Sequence, residues 1–449
     1  MLKPALFFFA AISFAGNAIA QQQNDKVVTQ RTINDPLNEP SLVEARKKVI
    51  SYLLASGPVK QMAEKLISSG FTAGDGYGEV WIRDLNTFID VACEVNDRQI
   101  IKKHLLTFLK FQQADGGILD GYIPIAKAGG GYKYYHSGLA PEYAGHKNTV
   151  ETDQETSLVQ AIAKYIRNTK DKSILTDTVN GKTVQQGLED ALNFLIQKRW
   201  TEKYGLIWGA TTVDWGDVQP EHDWGVELDS SSHLTIDIYD NAMFVIAIND
   251  LLEIGKLSGK QRGYWKNIKE KLSTNIRQHL WDSKNQKFVP HIYLNGSPFP
   301  ASFDENAIYY HGGTAIAIEA GLLSKQEIKT SYLKMQENVK AANAATIGLT
   351  IYPVYPEGYF KNKGMGPWSY QNGGDWTWFG GRMVQQLLRN DMLNYALDAL
   401  QPMLDRVIKN NGFYEWYTPA NEPKGSSSFR GEAGVLWTVI REMEKKIKK

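Results

Sequence analysis

The chain has 449 residues, and 50 Lys and Arg against 49 Asp and Glu leave a net charge of +1. That balance excludes electrostatic recruitment to nucleic acid or an anionic membrane, and a single cysteine excludes an internal disulfide, so the fold must rest on its hydrophobic core. The 12 Trp and 22 Tyr beside only 8 His point instead to ligands with flat C–H faces and a hydroxyl rim, as sugars have.

Met1-Leu2-Lys3, the apolar run from Ala5 to Phe14 and Ala18-Ile19-Ala20 make residues 1–20 a secretory signal peptide, cleaved after Ala20. The run is too short for a membrane anchor, and no other segment is long and apolar enough. The expected destination is the periplasm or the exterior. Residues 21–39 are polar and aperiodic, an extended lead-in. From residue 40 to 449 apolar spacings of three and four recur, as in Ile101, Leu105, Phe108 and Leu109. They predict helices near 41–69 (broken around Gly57-Pro58), 80–95, 99–114, 152–168, 182–199, 237–256, 259–281, 312–321, 325–341, 376–389, 391–409 and 430–447. Cys93 falls on an apolar helical face and reads as core.

Several helices run into an aromatic residue, a Gly or Asn turn and a second aromatic segment: Trp200 to Trp208, Trp281 to Phe288, Ile408 to Tyr414. No fixed short period marks a solenoid. About twelve helices paired in sequence, with loaded loops between pairs, fit an all-α closed toroid with short β-hairpins in its loops. In such a ring one face gathers alternate loops into a pocket.

Four acidic stretches supply candidate chemistry. Glu79-Val-Trp-Ile-Arg-Asp84 offers Trp81, Arg83 and Asp84 at a helix start, either as an ion pair or as a grip on sugar hydroxyls. Lys147 to Ser157 contains Glu151, Asp153 and Glu155, where the helix dipole favours acids. Val213 to Asp229 holds six carboxylates, including Asp214 and Asp217, with Trp215 and Trp224. Gly412 to Tyr417 sets Glu415 among four aromatics, a setting that raises a carboxyl pKa. Between the last two, Gly366 to Arg382 brings Trp368, Tyr370, Gln371, Asn372, Asp375 and Trp376 around paired glycines that permit close backbone approach. Two separated carboxylates on pocket loops are what glycoside hydrolysis requires. Phosphate-loop, zinc-spaced and Gly-x-Ser-x-Gly patterns are all missing from the sequence, and Glu221-His222-Asp223 is a weak metal pattern. No cofactor and no metal are expected.

Pro367-Trp-Ser-Tyr-Gln-Asn-Gly-Gly-Asp-Trp376 resembles the Pro-Trp-Ser-Tyr-His-Asn-Gly-Gly-Ser-Trp segment of neutral and alkaline invertases. Trp81-Ile-Arg-Asp84 is similar to their Ile-Arg-Asp-Phe. Asp153, before Tyr165, matches the helix start that carries their general acid. Asn148-Thr-Val150 is similar to the Asn-Thr-Val-Asp of the glucosidase domain of glycogen debranching enzyme. Phe413-Tyr-Glu-Trp-Tyr417 resembles the segment whose Glu is the invertase base. The order is kept across roughly residues 80–440. The resemblance implies a six-hairpin (α/α)6 toroid glycoside hydrolase.

On that resemblance the expected enzyme is an exported inverting glycosidase that releases a terminal sugar from an oligosaccharide, with an α-glucoside as one option. Asp153 is the first candidate for general acid, with Asp217 and Asp214 in reserve and Glu151 and Glu155 as alternatives. Glu415 is the candidate base. Arg83, Asp84, Trp368, Tyr370, Gln371, Asn372, Asp375 and Trp376 are expected around the terminal sugar, with Trp81, Trp215 and Trp416 as stacking platforms. Gln371 and Asp375 stand where invertases have His and Ser, so sucrose does not follow as substrate, and Asp375 is the expected point of specificity. The rival readings are a sugar epimerase or polysaccharide lyase on the same toroid, which would use His136, His146, His222 or His233, and a non-catalytic carbohydrate-binding protein. Oligomeric state does not follow from the sequence.

Overall fold

The computed structural model describes residues 42–129 and 133–447; the predicted signal peptide and lead-in lie outside them. Twelve α-helices run in the described chain: α1 (Leu42–Ser68), α2 (Ile82–Val95), α3 (Arg98–Lys110), α4 (Asp153–Thr169), α5 (Val184–Lys198), α6 (Ile238–Ile254), α7 (Gly259–His279), α8 (His311–Glu319), α9 (Lys325–Ala341), α10 (Thr377–Arg389), α11 (Leu393–Asn410) and α12 (Arg430–Ile447). Each predicted helix is present, with ends that differ by a few residues. One expectation is corrected. Helix α1 passes through Gly57-Pro58 unbroken. Pro58 deletes the bond to the carbonyl of Leu54, whose side chain is 73 % exposed, so that carbonyl lies on the face where water can take it.

Helices α2, α4, α6, α8, α10 and α12 form an inner ring. Each packs on the next, and α12 packs back on α2 to close it. The all-α toroid predicted from the paired helices is the observed architecture. Its two layers differ as their positions require. Helices α4, α6, α8 and α10 are buried on nearly every face. The outer helices bury one stripe each, as α7 does with Trp265, Ile268, Leu272 and Ile276. Three outer helices start with reciprocal capping boxes: Thr183 with Gln186, Ser258 with Gln261, and Ser324 with Glu327. Cys93 is only half-buried, since its turn of α2 meets the surface.

The loops carry small antiparallel sheets. Trp200–Thr201 pairs with Leu206–Ile207, Trp281–Asp282 with Lys287–Phe288, and Tyr414–Tyr417 with Pro423–Ser427. The largest sheet orders Val80–Trp81, Gly121–Pro124, Tyr143–His146 and Tyr134–His136. It covers the end of the ring where α2 begins.

The inner helices are parallel. The starts of α2, α10 and α12 line one cavity, and the C-terminal halves of all six gather around another at the far end. At the far end Lys164, Arg167, Arg389, Arg441 and Lys445 mix with Asp90, Asp250, Glu253, Glu319 and Glu442. Cations there oppose the negative ends of the helix dipoles.

The closure of the ring depends on a glycine. A Cβ at Gly434 of α12 would lie 2.5 Å from the Cα of Phe88 on α2. Gly434→Ala must push the two helices apart or bend one. It is expected to destabilise the fold by about 1–3 kcal/mol, read as a lower midpoint of urea unfolding with the slope unchanged.

Candidate active site

The cavity at the N-terminal end of the ring has a volume of about 310 Å³. Its floor comes from the residues that start the inner helices. Trp81, Arg83 and Asp84 come from the start of α2, Trp376 and Trp378 from α10, and Phe429 and Gly431 from α12. The covering sheet adds His146 and Asp120, which immediately precedes a strand. The loops add Tyr77, Trp215, Asp217, Gln219, Tyr370, Gln371 and Glu415.

Arg83 anchors the charge of the site. Its Nε lies 2.5 Å from Asp153 Oδ2, and its Nη2 contacts Glu151. Burial works against its charge, but Asp153 and other nearby acids outweigh that and raise its pKa well above the ordinary value. Around it the carboxyls are held high. Burial raises Asp84 to about 7 against the pull of Arg83. Asp120 reaches about 8 for the same reason, with Asp153 and Asp217 adding to the rise. Asp217 is also raised by burial, opposed by Arg83 and by a side-chain hydrogen bond with Gln371.

Glu415 faces the same cavity from the hairpin after α11. Its Oε1 accepts from the Tyr77 hydroxyl at 2.7 Å, and its Oε2 accepts from the Ser426 N–H at 2.8 Å. Burial still raises its pKa, with Asp217 contributing in the same direction. Gly425 is required beside it. It has φ +69°, and a Cβ there would fall 2.4 Å from Glu415 Oε2.

The structure brings together Trp81, Arg83, Asp84, Trp215, Asp217, Tyr370, Gln371, Trp376 and Glu415. It does not place Asp153, Trp368, Asn372, Asp375 or Trp416 in the described cavity wall. Asp153 is fully buried, and both its oxygens are engaged: Oδ2 by Arg83 and by the Tyr239 hydroxyl at 2.8 Å, Oδ1 by Arg83 and Gln154. Glu155 is fully buried and its Oε1 is held by Lys147 at 2.6 Å and by the Ile118 N–H at 2.9 Å. Asp214 receives the N–H groups of Gly312 and Gly313 at 2.6 and 2.8 Å, so it caps α8 from another loop.

Asp375, expected to face a sugar, is corrected to a buried anchor. Arg406 reaches its Oδ1 at 2.9 Å, and Thr346 donates its hydroxyl and N–H. Its backbone pairs with Tyr417 in both directions, which ties the α10 loop to the hairpin that bears Glu415. Asn372 serves a similar end. It bonds the N–H and C=O of Tyr355 and the carbonyl of Met365. These bonds hold a loop in which Trp368 and Tyr370 have φ +66° and +48°. Trp368 packs toward Tyr352, and Trp416 toward Tyr370.

Of the four candidate histidines, His146 and His222 line the cavity. Burial lowers His146 to about 4, so its ring is neutral there at neutral pH, set edge-to-face against Trp81. His233 contacts Glu221 instead. Sequence reasoning missed Tyr77, Asp120, Gln219 and Asn362 in the wall. Tyr77 had one signal, an aromatic between glycines in Gly74-Asp-Gly-Tyr-Gly78, the composition that also marked the loop after Gly366. Asp120 had none beyond a Gly after it.

Neither a protein-family model nor a curated protein sequence matches the chain. Solved structures do. The GH63 mannosylglycerate hydrolase from Thermus thermophilus in complex with glucose superposes with a TM-score of 0.60 at 13 % identity, over 85 % of this chain and 100 % of that one. Its complex with Tris and D-glycerate gives 0.61 at 14 %, with the same coverage. A rhamnosidase from Klebsiella oxytoca with rhamnose bound gives 0.58 at 11 %, over 86 % of this chain and 64 % of that one. These likenesses establish the toroid fold.

Two outcomes follow from the buried charges. Arg406→Met leaves the carboxylates of Asp375 and Glu432 without their guanidinium, and unfolding measurements should show a loss of about 3–5 kcal/mol. Asp120 holds its proton more tightly in the folded chain than in the unfolded one. Raising the pH from 3.8 to about 8 therefore ionises the unfolded chain first and draws stability from the fold. Asp120→Asn should remove that loss, so its melting temperature should gain on the natural protein as the pH rises from 5 to 8.

Proposed function

We propose that the chain is an exported, inverting glycoside hydrolase with Asp217 as general acid and Glu415 as general base. The observation that carries this reading is the different engagement of the acids. Asp153 is fully buried, has donors on both oxygens and lies outside the cavity wall, so it faces no substrate. Asp217 and Glu415 both reach the cavity, and both are raised by burial. Donors on both oxygens of Glu415 favour its ionised form, which suits a base. Asp217 has burial favouring its protonated form, which suits an acid.

In this reading Asp217 gives its proton to the glycosidic oxygen as the bond to the anomeric carbon breaks. Glu415 takes a proton from a water that adds to the opposite face of that carbon, which inverts it. Asp84 and Asp120 supply hydrogen bonds to hydroxyls of the terminal sugar, and Arg83 holds the acid cluster in place. Trp81 and Trp376 supply apolar faces. The named hydrolases that share the fold support a glycoside substrate, and the signal-peptide pattern of residues 1–20 supports export.

The acid pair is tested by product and by rate. The expected result is that NMR shows the first-formed sugar with the anomer opposite to the substrate's. Glu415→Gln should lose about 10²–10⁴-fold in kcat. Asp217→Asn should lose a similar factor on alkyl glycosides, far less on glycosyl fluorides, and should lose the alkaline limb of the kcat/KM profile. A retained anomer, or full activity in either variant, would sink the assignment. A second reading, an epimerase or lyase, is favoured by one observation, that His146 and His222 share the cavity. Deuterium entering a sugar C–H bond from heavy water would select it.

A further inference from the structure

The segment that follows Asp217 leads from the floor of the cavity to its mouth. Trp215, two residues before Asp217, is 2 % exposed and wedged edge-to-face against Trp376, Trp378 and Phe379. Gln219 is buried and fixed by Ser232 and by the carbonyl of Glu227. Trp224, farther along, also lines the cavity but is 55 % exposed. The same stretch thus bears one tryptophan built into the core and one held at the opening.

We infer that Trp224 is the platform for the leaving group, and that this group is an uncharged second sugar ring rather than a carboxylate-bearing unit. The inference rests on the proposed hydrolytic reading, in which Asp217 protonates the leaving oxygen. Residues next to Asp217 on the way out must then surround the departing half of the substrate. Trp224 offers it a broad apolar face, Asn362 is a neutral hydrogen-bonding neighbour, and Gln219 is held below them by its own bonds. The charge of the wall decides the rest. Among its described residues Arg83 is the single guanidinium or ammonium, and it is committed to Asp153 and Glu151. His222 lies 3.5 Å from Asp229. Asp84, Asp120, Asp217 and Glu415 fill the acidic side. A carboxylate on the leaving group would find no free cation among the described residues of that wall to receive it.

The test is calorimetric binding to the Asp217→Asn protein, with and without Trp224→Ala. The probes are the methyl α-glycosides of glucose, mannose and rhamnose, the disaccharides in which each is linked to glucose, and glucosylglycerate and mannosylglycerate. The expected result is a disaccharide that binds about 2- to 10-fold more tightly than its methyl glycoside, an advantage that Trp224→Ala abolishes. The glycerates should bind no better than methyl glycosides. A disaccharide advantage that survives Trp224→Ala, or a glycerate that binds best, would overturn the inference and leave the hydrolytic reading standing. Tight, Trp224-dependent disaccharide binding without hydrolysis by the natural protein would do the reverse. No binding by any sugar would overturn both.

Discussion

Six parallel helix N-termini meeting at one end of a ring are the constraint on which the site depends. Each brings N–H groups that have no partner within their own helix and the positive end of its dipole. That field, with Arg83 at its centre, lets the ring hold a density of buried acids that an apolar interior would reject. The outer helices α5, α7 and α9 satisfy their first turns with their own Ser or Thr capping boxes. The inner helices α2, α4, α8 and α10 have no side-chain cap of their own, and three of their N-cap residues are Trp81, Tyr310 and Trp376. Aromatic N-caps break the local preference for Ser, Thr, Asp or Asn. The break makes sense where the cap position must line a cavity and the missing acceptor is borrowed, as α8 borrows Asp214.

The same field sorts the acids into two kinds. Asp153, Glu155, Asp214 and Asp375 spend their oxygens on Arg83, Lys147, two glycine N–H groups and Arg406. They hold elements together. Asp84, Asp120, Asp217 and Glu415 reach the cavity, and burial lifts each above the usual carboxyl range. Proximity to the ring's end does not distinguish the two kinds. What distinguishes them is whether the side chain reaches the cavity, since Glu415 too has a donor on each oxygen.

This explains what was legible in the sequence. Helix positions were readable because the outer layer leaves a periodic apolar stripe and the inner layer leaves long apolar runs, and the ring followed from twelve helices with loaded loops. The segments around Arg83, Asp217, Gln371 and Glu415 stood out by their mixture of acids, Trp and Gly. Which acid in each segment faces the cavity was not readable. Asp153 and Asp375 look as functional as Asp217 in one dimension, since the partners that occupy them, Tyr239, Thr346 and Arg406, come from distant parts of the chain. Asp120 was missed for the converse reason. Its neighbours in sequence are ordinary, and only the pairing of Gly121 with Trp81 brings it beside Arg83. The unbroken helix at Pro58 shows the same dependence on context, because the cost of a lost hydrogen bond is set by access to water.

Glu415 shows how far from the cavity its own placement is determined. Its hairpin has only a two-stranded ladder, too small to hold a carboxylate steady by itself. The hairpin is tied by backbone pairing of Tyr417 to Asp375, and Asp375 is fixed by Arg406 of α11, an outer helix. Arg406 in turn stacks on the Tyr417 ring at 3.8 Å and lies 3.6 Å from Glu432 of α12, which accepts the Tyr414 N–H at 2.7 Å. A loop of charges and rings therefore runs from α11 through α10 and α12 back to the strand that carries the base. The cost of burying Arg406 with two acids is high. Its return is positional: the backbone on both sides of Glu415 is fixed to three helices of the toroid, and the side chain is left to meet the cavity.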